Sequence, residues 1–351
     1  MNRIEKKNYG CIVPSAMVVV DNVLWYVSRE YAVLCAFDLN NSTFIDAIRI
    51  PNVNYEKKSL FLGIFSYENE IILVPAWNDS YVIYDIKSKE FIYVSVPNSA
   101  GLLFTDSFLI NNKIYSMPYS YGFIISYNMS TKELEYQYDM HDKTSNGNCP
   151  HFNCSSKLKN KILSVDAEKN CLYEFDLDNN IFSCKIIGGK NNKYEYICVW
   201  KGKIILLDNC NKKMIVLSED YCDIQELSLP SYLGSLELKI VYGDRLLIED
   251  IDSTNMALFE SVTEMIECIS DGFVRNISKR GRSIICHYGE KEYYYNPFRE
   301  VLEEYCNGEK LGDIRFELND NVIRKLINDE FIPLLREGDL IDLNQYINAL
   351  L

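Results

Sequence analysis

The sequence predicts an all-β fold: a seven-bladed β-propeller of four-stranded blades with a short C-terminal helical tail. Three observations carry that reading. They are a repeat with a mean period of about 43 residues, fixed spacings inside each repeat, and short strand-like segments separated by polar turns. A four-stranded blade has this length, cannot bury both of its faces alone, and packs against its neighbours around an axis.

The first apolar residue after a short polar turn recurs as Leu24, Ile71, Ile114, Ile162, Ile204, Leu246 and Ile284, at intervals of 47, 43, 48, 42, 42 and 38. Thirteen residues after the first six stand Phe37, Tyr84, Tyr127, Phe175, Leu217 and Phe259; in the seventh unit Tyr295 follows at eleven. Seven residues further lie Phe44, Phe91, Leu134, Phe182, Ile224, Ile266 and Leu302. After the second landmark comes a polar or acidic residue, such as Asp38, Asp85, Asn128 or Asp176, of a type that closes a turn by bonding its own backbone. The landmarks mark the second, third and fourth strands of each blade, and first strands precede them at 16–20, 60–65, 102–110, 194–200 and 236–241.

Asn112-Lys113-Ile114-Tyr115, followed by Ile125-Ser126-Tyr127-Asn128 and Lys132-Glu133-Leu134, resembles a degenerate kelch-type blade. Similar strings are Glu70-Ile71-Ile72 with Tyr84-Asp85-Ile86, and Lys161-Ile162-Leu163 with Phe175-Asp176-Leu177. The likeness runs over residues 15–306 and implies the propeller architecture without a particular activity. It departs from the family in its glycines, paired only at Gly188-Gly189, and in a fourth strand that carries Phe, Leu or Ile in place of tryptophan.

Residues 1–14 read as an N-terminal segment that either adds a strand to the last blade or leaves the first and last blades simply to pack, and 15–310 as the propeller. Residues 311–351 break the repeat, with Val322, Ile323, Leu326, Ile327 and Phe331 near helical spacing, and are expected to form the helical tail.

With no charged-then-apolar leader and no long apolar run, the chain is expected in the cytoplasm without a membrane partner. A net charge of −14 with no basic stripe excludes nucleic acid as a partner. The twelve cysteines, spread along strand-like stretches, read as reduced structural thiols.

Strands of a blade alternate in direction, so the loops between second and third strands share one face with the connections between blades. That face is the expected site. Its second-to-third loops offer Arg29, Tyr31, Trp77, Tyr119 and Tyr121, and the two long connections, 51–58 and 139–151, add Tyr55 and His151. Aromatic rings beside Asn, Asp and Arg suit stacking and hydrogen bonding to a peptide or a sugar. His287, placed at the end of a second strand, is a further channel-lining candidate. No cofactor is expected from any motif, apart from zinc at Cys149, His151 and Cys154, where two thiolates and an imidazole lie within six residues.

No nucleophile elbow, phosphate loop or dinucleotide fingerprint is present. The favoured function is therefore a non-catalytic module that binds a protein or peptide partner through its loop face and tail. The alternative is a carbohydrate-binding or carbohydrate-active protein of mutarotase, epimerase or lyase type, with a small sugar at the channel mouth.

Overall fold

Apolar residues fill both faces of the strands, and that decides the architecture. In Val23–Ser28, Leu24 and Tyr26 pack to one side and Trp25 and Val27 to the other, and all four are buried. A strand buried on both faces must lie between two layers. The computed structural model describes residues 13–29, 32–54, 57–119, 121–140, 150–166, 170–189, 191–231, 234, 236–241, 245–250, 256–261, 264–269, 284–296 and 301–316. Its strands form seven antiparallel four-stranded sheets, each from consecutive strands, spanning 14–49, 61–95, 104–139, 154–186, 196–228, 236–269 and 284–315 in chain order.

Each neighbouring pair of these sheets encloses its own apolar cluster, so the core is a set of wedges. Leu34 and Leu73 share the wedge between sheets one and two, and Met117 and Phe175 the one between three and four. Between sheets six and seven the described apolar residues are Leu247, Tyr294 and Tyr305, with Ile285 packed against them. A polar bond supplements them: the Tyr294 hydroxyl donates to Glu249 Oε1 at 2.7 Å, and within sheet six Lys239 reaches Glu249 and Glu237 at 3.0 Å each. First strands line the axis and are stitched across sheets. Ser15 Oγ donates to the Phe61 carbonyl at 3.1 Å, Ser155 N to Asp106 Oδ2 at 2.7 Å, and Val199 N to Ser156 Oγ at 3.0 Å.

The thirteen-residue spacing is a ladder register. Leu24 pairs with Phe37, Ile71 with Tyr84, Ile114 with Tyr127, Ile162 with Phe175, Ile204 with Leu217 and Leu246 with Phe259. The last repeat needs correction. Ile284 lies in the first strand of sheet seven, Tyr295 in the second and Leu302 in the third, so the expected register is one strand early. The residue at the common position is Glu292, buried and paired with Tyr305 thirteen residues on. A search for apolar anchors passes over it.

The boundary at 310/311 also moves. Glu309–Arg315 is the fourth strand of sheet seven rather than the start of a tail, and the rest of the expected helical tail, 317–351, lies outside the described residues. Sheet seven draws all its strands from 284–315, and it meets sheet one by packing. Phe316, 4% exposed, sits among Tyr26, Phe37, Phe44 and Tyr295 with ring centroids 5.3–6.3 Å away.

The two ends of the sheets differ in chemistry. At one end, Asp21-Asn22, Asn111-Asn112 and Lys201-Gly202 join first to second strands with both residues at positive φ, the backbone twist that suits a two-residue hairpin. The third-to-fourth turns close on Asp38, Asp85, Asn128 and Asp176, whose side-chain oxygens accept the backbone N–H groups two and three residues on at 2.7–3.3 Å. The other end carries the loops and the two cavities formed by the described residues.

Candidate functional site

Backbone bonds fix the loop end before any side chain is considered. The residue after each of several second strands donates its N–H to the entrance of its own sheet: Arg29 to Val13 O, Ala76 to Leu60 O and Tyr119 to Leu103 O, all at 2.8 Å. The next sheet bonds back, Ser59 N to Arg29 O at 2.8 Å and Leu103 N to Ala76 O at 2.9 Å. Side chains that follow these anchors therefore project from a tied rim.

They converge on a cavity of about 490 Å³ where the first strands begin. Arg29, Trp77, Tyr119 and Tyr196 stand around it, with Phe61 and Phe104 among its apolar lining. Among the described residues, Arg29 and Glu195 are its two charged lining residues. Glu195 is held by Asn209, whose Nδ2 donates to Oε2 at 2.5 Å. Asn209 is itself buried and clamped to the main chain of Leu236, accepting its N–H at 3.0 Å and donating to its carbonyl at 3.4 Å. Thr105 Oγ1 also lines the mouth, buried and with no hydrogen-bond partner among the described residues. A second cavity of about 280 Å³ adjoins the mouth, lined by Asn52, Asn54, Lys57, Asn78 and Asp79. Trp77, 40% exposed, is a wall of both, and the Lys57 ammonium lies 5.5 Å from its ring centroid.

Of the candidates read from the sequence, Arg29, Trp77 and Tyr119 meet at the mouth. His151 is exposed and sets its ring edge-on to Tyr119 at 5.4 Å. Tyr121 does not join them. It is buried between sheets two and three, and its hydroxyl donates to the Pro97 carbonyl at 2.9 Å, with burial pushing its pKa up. His287 is on the first strand of sheet seven rather than the end of a second strand, three residues along from the mouth residue Ile284, and its Nδ1 is 3.9 Å from Glu292. Tyr31, Tyr55 and Cys149 lie outside the described residues.

Of the zinc string only His151 and Cys154 are described, since Cys149 lies outside the described residues. Burial pushes the Cys154 thiol well up, and its sulfur points at the Ile197 carbonyl at 3.5 Å. No cluster of metal-ligating side chains occurs among the described residues. Glu195, Tyr196 and Thr105 are the functional candidates that sequence reasoning missed. Their signal was positional, since each lies at the entrance to a first strand, in connections too short to stand out by length.

No family model matches the chain, and no curated protein does. Solved structures do resemble it. Virginiamycin B lyase from Staphylococcus aureus superposes with a TM-score of 0.63 at 11% identity, covering 88% of this chain and 97% of the other. BamB from Moraxella catarrhalis gives 0.52 at 9%, covering 80% and 81%, and Hsv2 from Kluyveromyces lactis 0.51 at 11%, covering 83% and 92%. Together with the ring of wedges, these likenesses define an all-β propeller with four-stranded blades. At such identities they speak for the fold alone.

Proposed function

We propose that this chain is a non-catalytic binding module that holds a segment of protein or peptide at the mouth of its channel. The observation that carries the reading is the convergence of Arg29, Trp77, Tyr119 and Glu195 on one cavity of about 490 Å³. That volume is within the usual range of about 300–1,000 Å³ for ligand pockets. Aromatic walls supply contact area at small entropic cost, and charged and polar groups fix orientation. Arg29, Ala76 and Tyr119 are tied by backbone bonds, so little ordering of these residues is required on binding. The nine cysteines whose side chains are described are free thiols, which supports a reducing cytoplasmic setting.

Affinity selection from a synthetic library of linear tri- to heptapeptides, read by mass spectrometry, tests this. Peptides enriched on the wild-type protein should lose about tenfold or more in affinity for Trp77→Ala and Tyr119→Ala, because buried aromatic anchors dominate such contacts. Enriched peptides that bind both variants as tightly as the wild type would place the site elsewhere.

A second reading rests on the smaller cavity. An exposed indole ringed by Asn52, Asn54, Asn78, Asp79 and Lys57 suits the apolar face and hydroxyls of a sugar. The virginiamycin B lyase likeness adds weight to a lyase-type alternative, as a shared architecture only. Melting-point shifts with a sugar panel, lost in Trp77→Ala, would favour this reading over the first.

A further inference from the structure

We propose that the smaller cavity is a site for a single pyranose ring, stacked on Trp77 with one ring hydroxyl donating to Asn78 Oδ1. This rests on the sugar reading of that cavity, and it names the residue that recognises the sugar.

Asn78 carries the assignment. It is 8% exposed, and it lines the smaller cavity but not the mouth. Its Nδ2 donates to the Ser80 carbonyl at 2.8 Å, which fixes the plane of the amide. Oδ1, the other end of that amide, accepts no bond among the described residues. A buried acceptor favours a ligand that brings it a donor and penalises one that does not.

Backbone bonds hold the segment on both sides of the indole. Ala76 N and Asn78 N donate to the Leu60 carbonyl at 2.8 and 3.3 Å, and Val96 N donates to the Asp79 carbonyl at 2.8 Å. Trp77 lies between these ties, so its side chain leaves from a fixed point of the rim. The groups around it are mixed in kind. Ser80 Oγ donates to Asp79 Oδ1 at 2.8 Å, leaving Oδ2 as a further acceptor, and the Lys57 ammonium brings N–H donors to within 5.5 Å of the ring centroid. An apolar side chain would cover the indole and strand Asn78. A pyranose covers the indole with its C–H face, and its hydroxyls, each donor and acceptor at once, answer both kinds of group. The fit asks for no charge on the ligand.

Isothermal titration and acrylamide quenching of the full chain, with methyl glycosides of glucose, galactose, mannose and xylose, test the assignment. Of the three tryptophans Trp77 is the exposed one, Trp25 being 7% and Trp200 0% exposed. A bound glycoside should therefore shield the quenchable fluorescence. Among monodeoxy and deoxyfluoro analogues of the tightest glycoside, the one lacking the donor that meets Asn78 should weaken about fivefold, as expected for one hydrogen bond. In Asn78→Ala that analogue and its parent should bind alike. Melting curves establish that the variant is folded, and the quenching and analogue series need no variant. Binding without shielding would overturn the site. Shielding by a glycoside whose analogues all bind as tightly as the parent would overturn the role of Asn78 and leave a sugar at Trp77. An analogue penalty that persists in Asn78→Ala would overturn that role as well. Failure of every glycoside would remove the sugar reading itself and leave the peptide reading of the mouth untouched.

Discussion

The two ends of the ring solve different problems with the same strands. At the turn end, hairpins of two residues at positive φ and turns closed by Asp or Asn repeat from sheet to sheet. At the loop end, connections differ in length, side chains are aromatic or charged, and two cavities adjoin. The turn end satisfies its own backbone with local bonds, so its chemistry is uniform and leaves little to offer a ligand. The loop end satisfies its backbone across sheets, through pairs such as Arg29 with Val13 and Ser59. Its side chains are thereby released for recognition. The difference teaches that stability and binding are assigned to opposite ends of the same scaffold.

The sharpest way to break that division is at Phe316, a loop-end residue that holds the fold. Phe316→Ala should cost about 3–5 kcal/mol, the usual loss for a buried phenylalanine. Urea denaturation measures it, and a loss under 1 kcal/mol would show that the seam between sheets one and seven does not depend on this ring. A smaller effect should come from the turn end. Changing Asn111 and Asn112 together to valine forces β-branched residues into left-handed backbone, at about 1–2 kcal/mol each, with peptide affinity at the mouth unchanged. If affinity falls with stability, the two ends are coupled and the division fails.

The smallest expected effect concerns acid. Asp38 is held below the usual aspartate value of 3.8 by the Asn41 side chain, Asp85 by the Ser88 N–H and Asp176 by the Asn179 side chain. A carboxylate lowered by folding contributes stability that is fully present above 3.8 and lost as the pH falls through its lower folded value. Asn128 makes the same turn without a charge. Asp85→Asn should therefore keep the turn and show a slightly smaller drop in melting temperature between pH 7 and pH 3 than the wild type. An identical drop would mean the charge at this turn contributes nothing.

Much of this architecture is legible in the sequence because ladder pairing converts a register into a constant spacing. Leu24 with Phe37 and Ile162 with Phe175 are the same contact in different sheets. The seventh repeat is misread where a buried glutamate, Glu292, takes the place that Leu or Ile fills in the other six. Arg29, Trp77 and Tyr119 are found because they follow second strands directly or after one residue. Tyr121 is two residues from Tyr119, yet its hydroxyl finds Pro97 and its ring packs inward, a choice of rotamer that spacing does not encode. Glu195 escapes because what holds it at the cavity is Asn209, fourteen residues on, a pairing that only the fold brings together.

The order of sheets around the ring is the order of synthesis. Each sheet comes from consecutive residues, so sheets one to six can form and pack in sequence as the chain emerges. The seam is the exception. Leu24, Tyr26, Val33 and Phe37 of sheet one wait for Tyr293, Tyr295 and Phe316, which are made about 270 residues later. At roughly 5–20 residues per second, that apolar face stays wet for some 15–55 seconds. A nascent chain of this kind presents one sticky surface of fixed identity throughout its synthesis, and a chaperone that shields it would be needed at that single place.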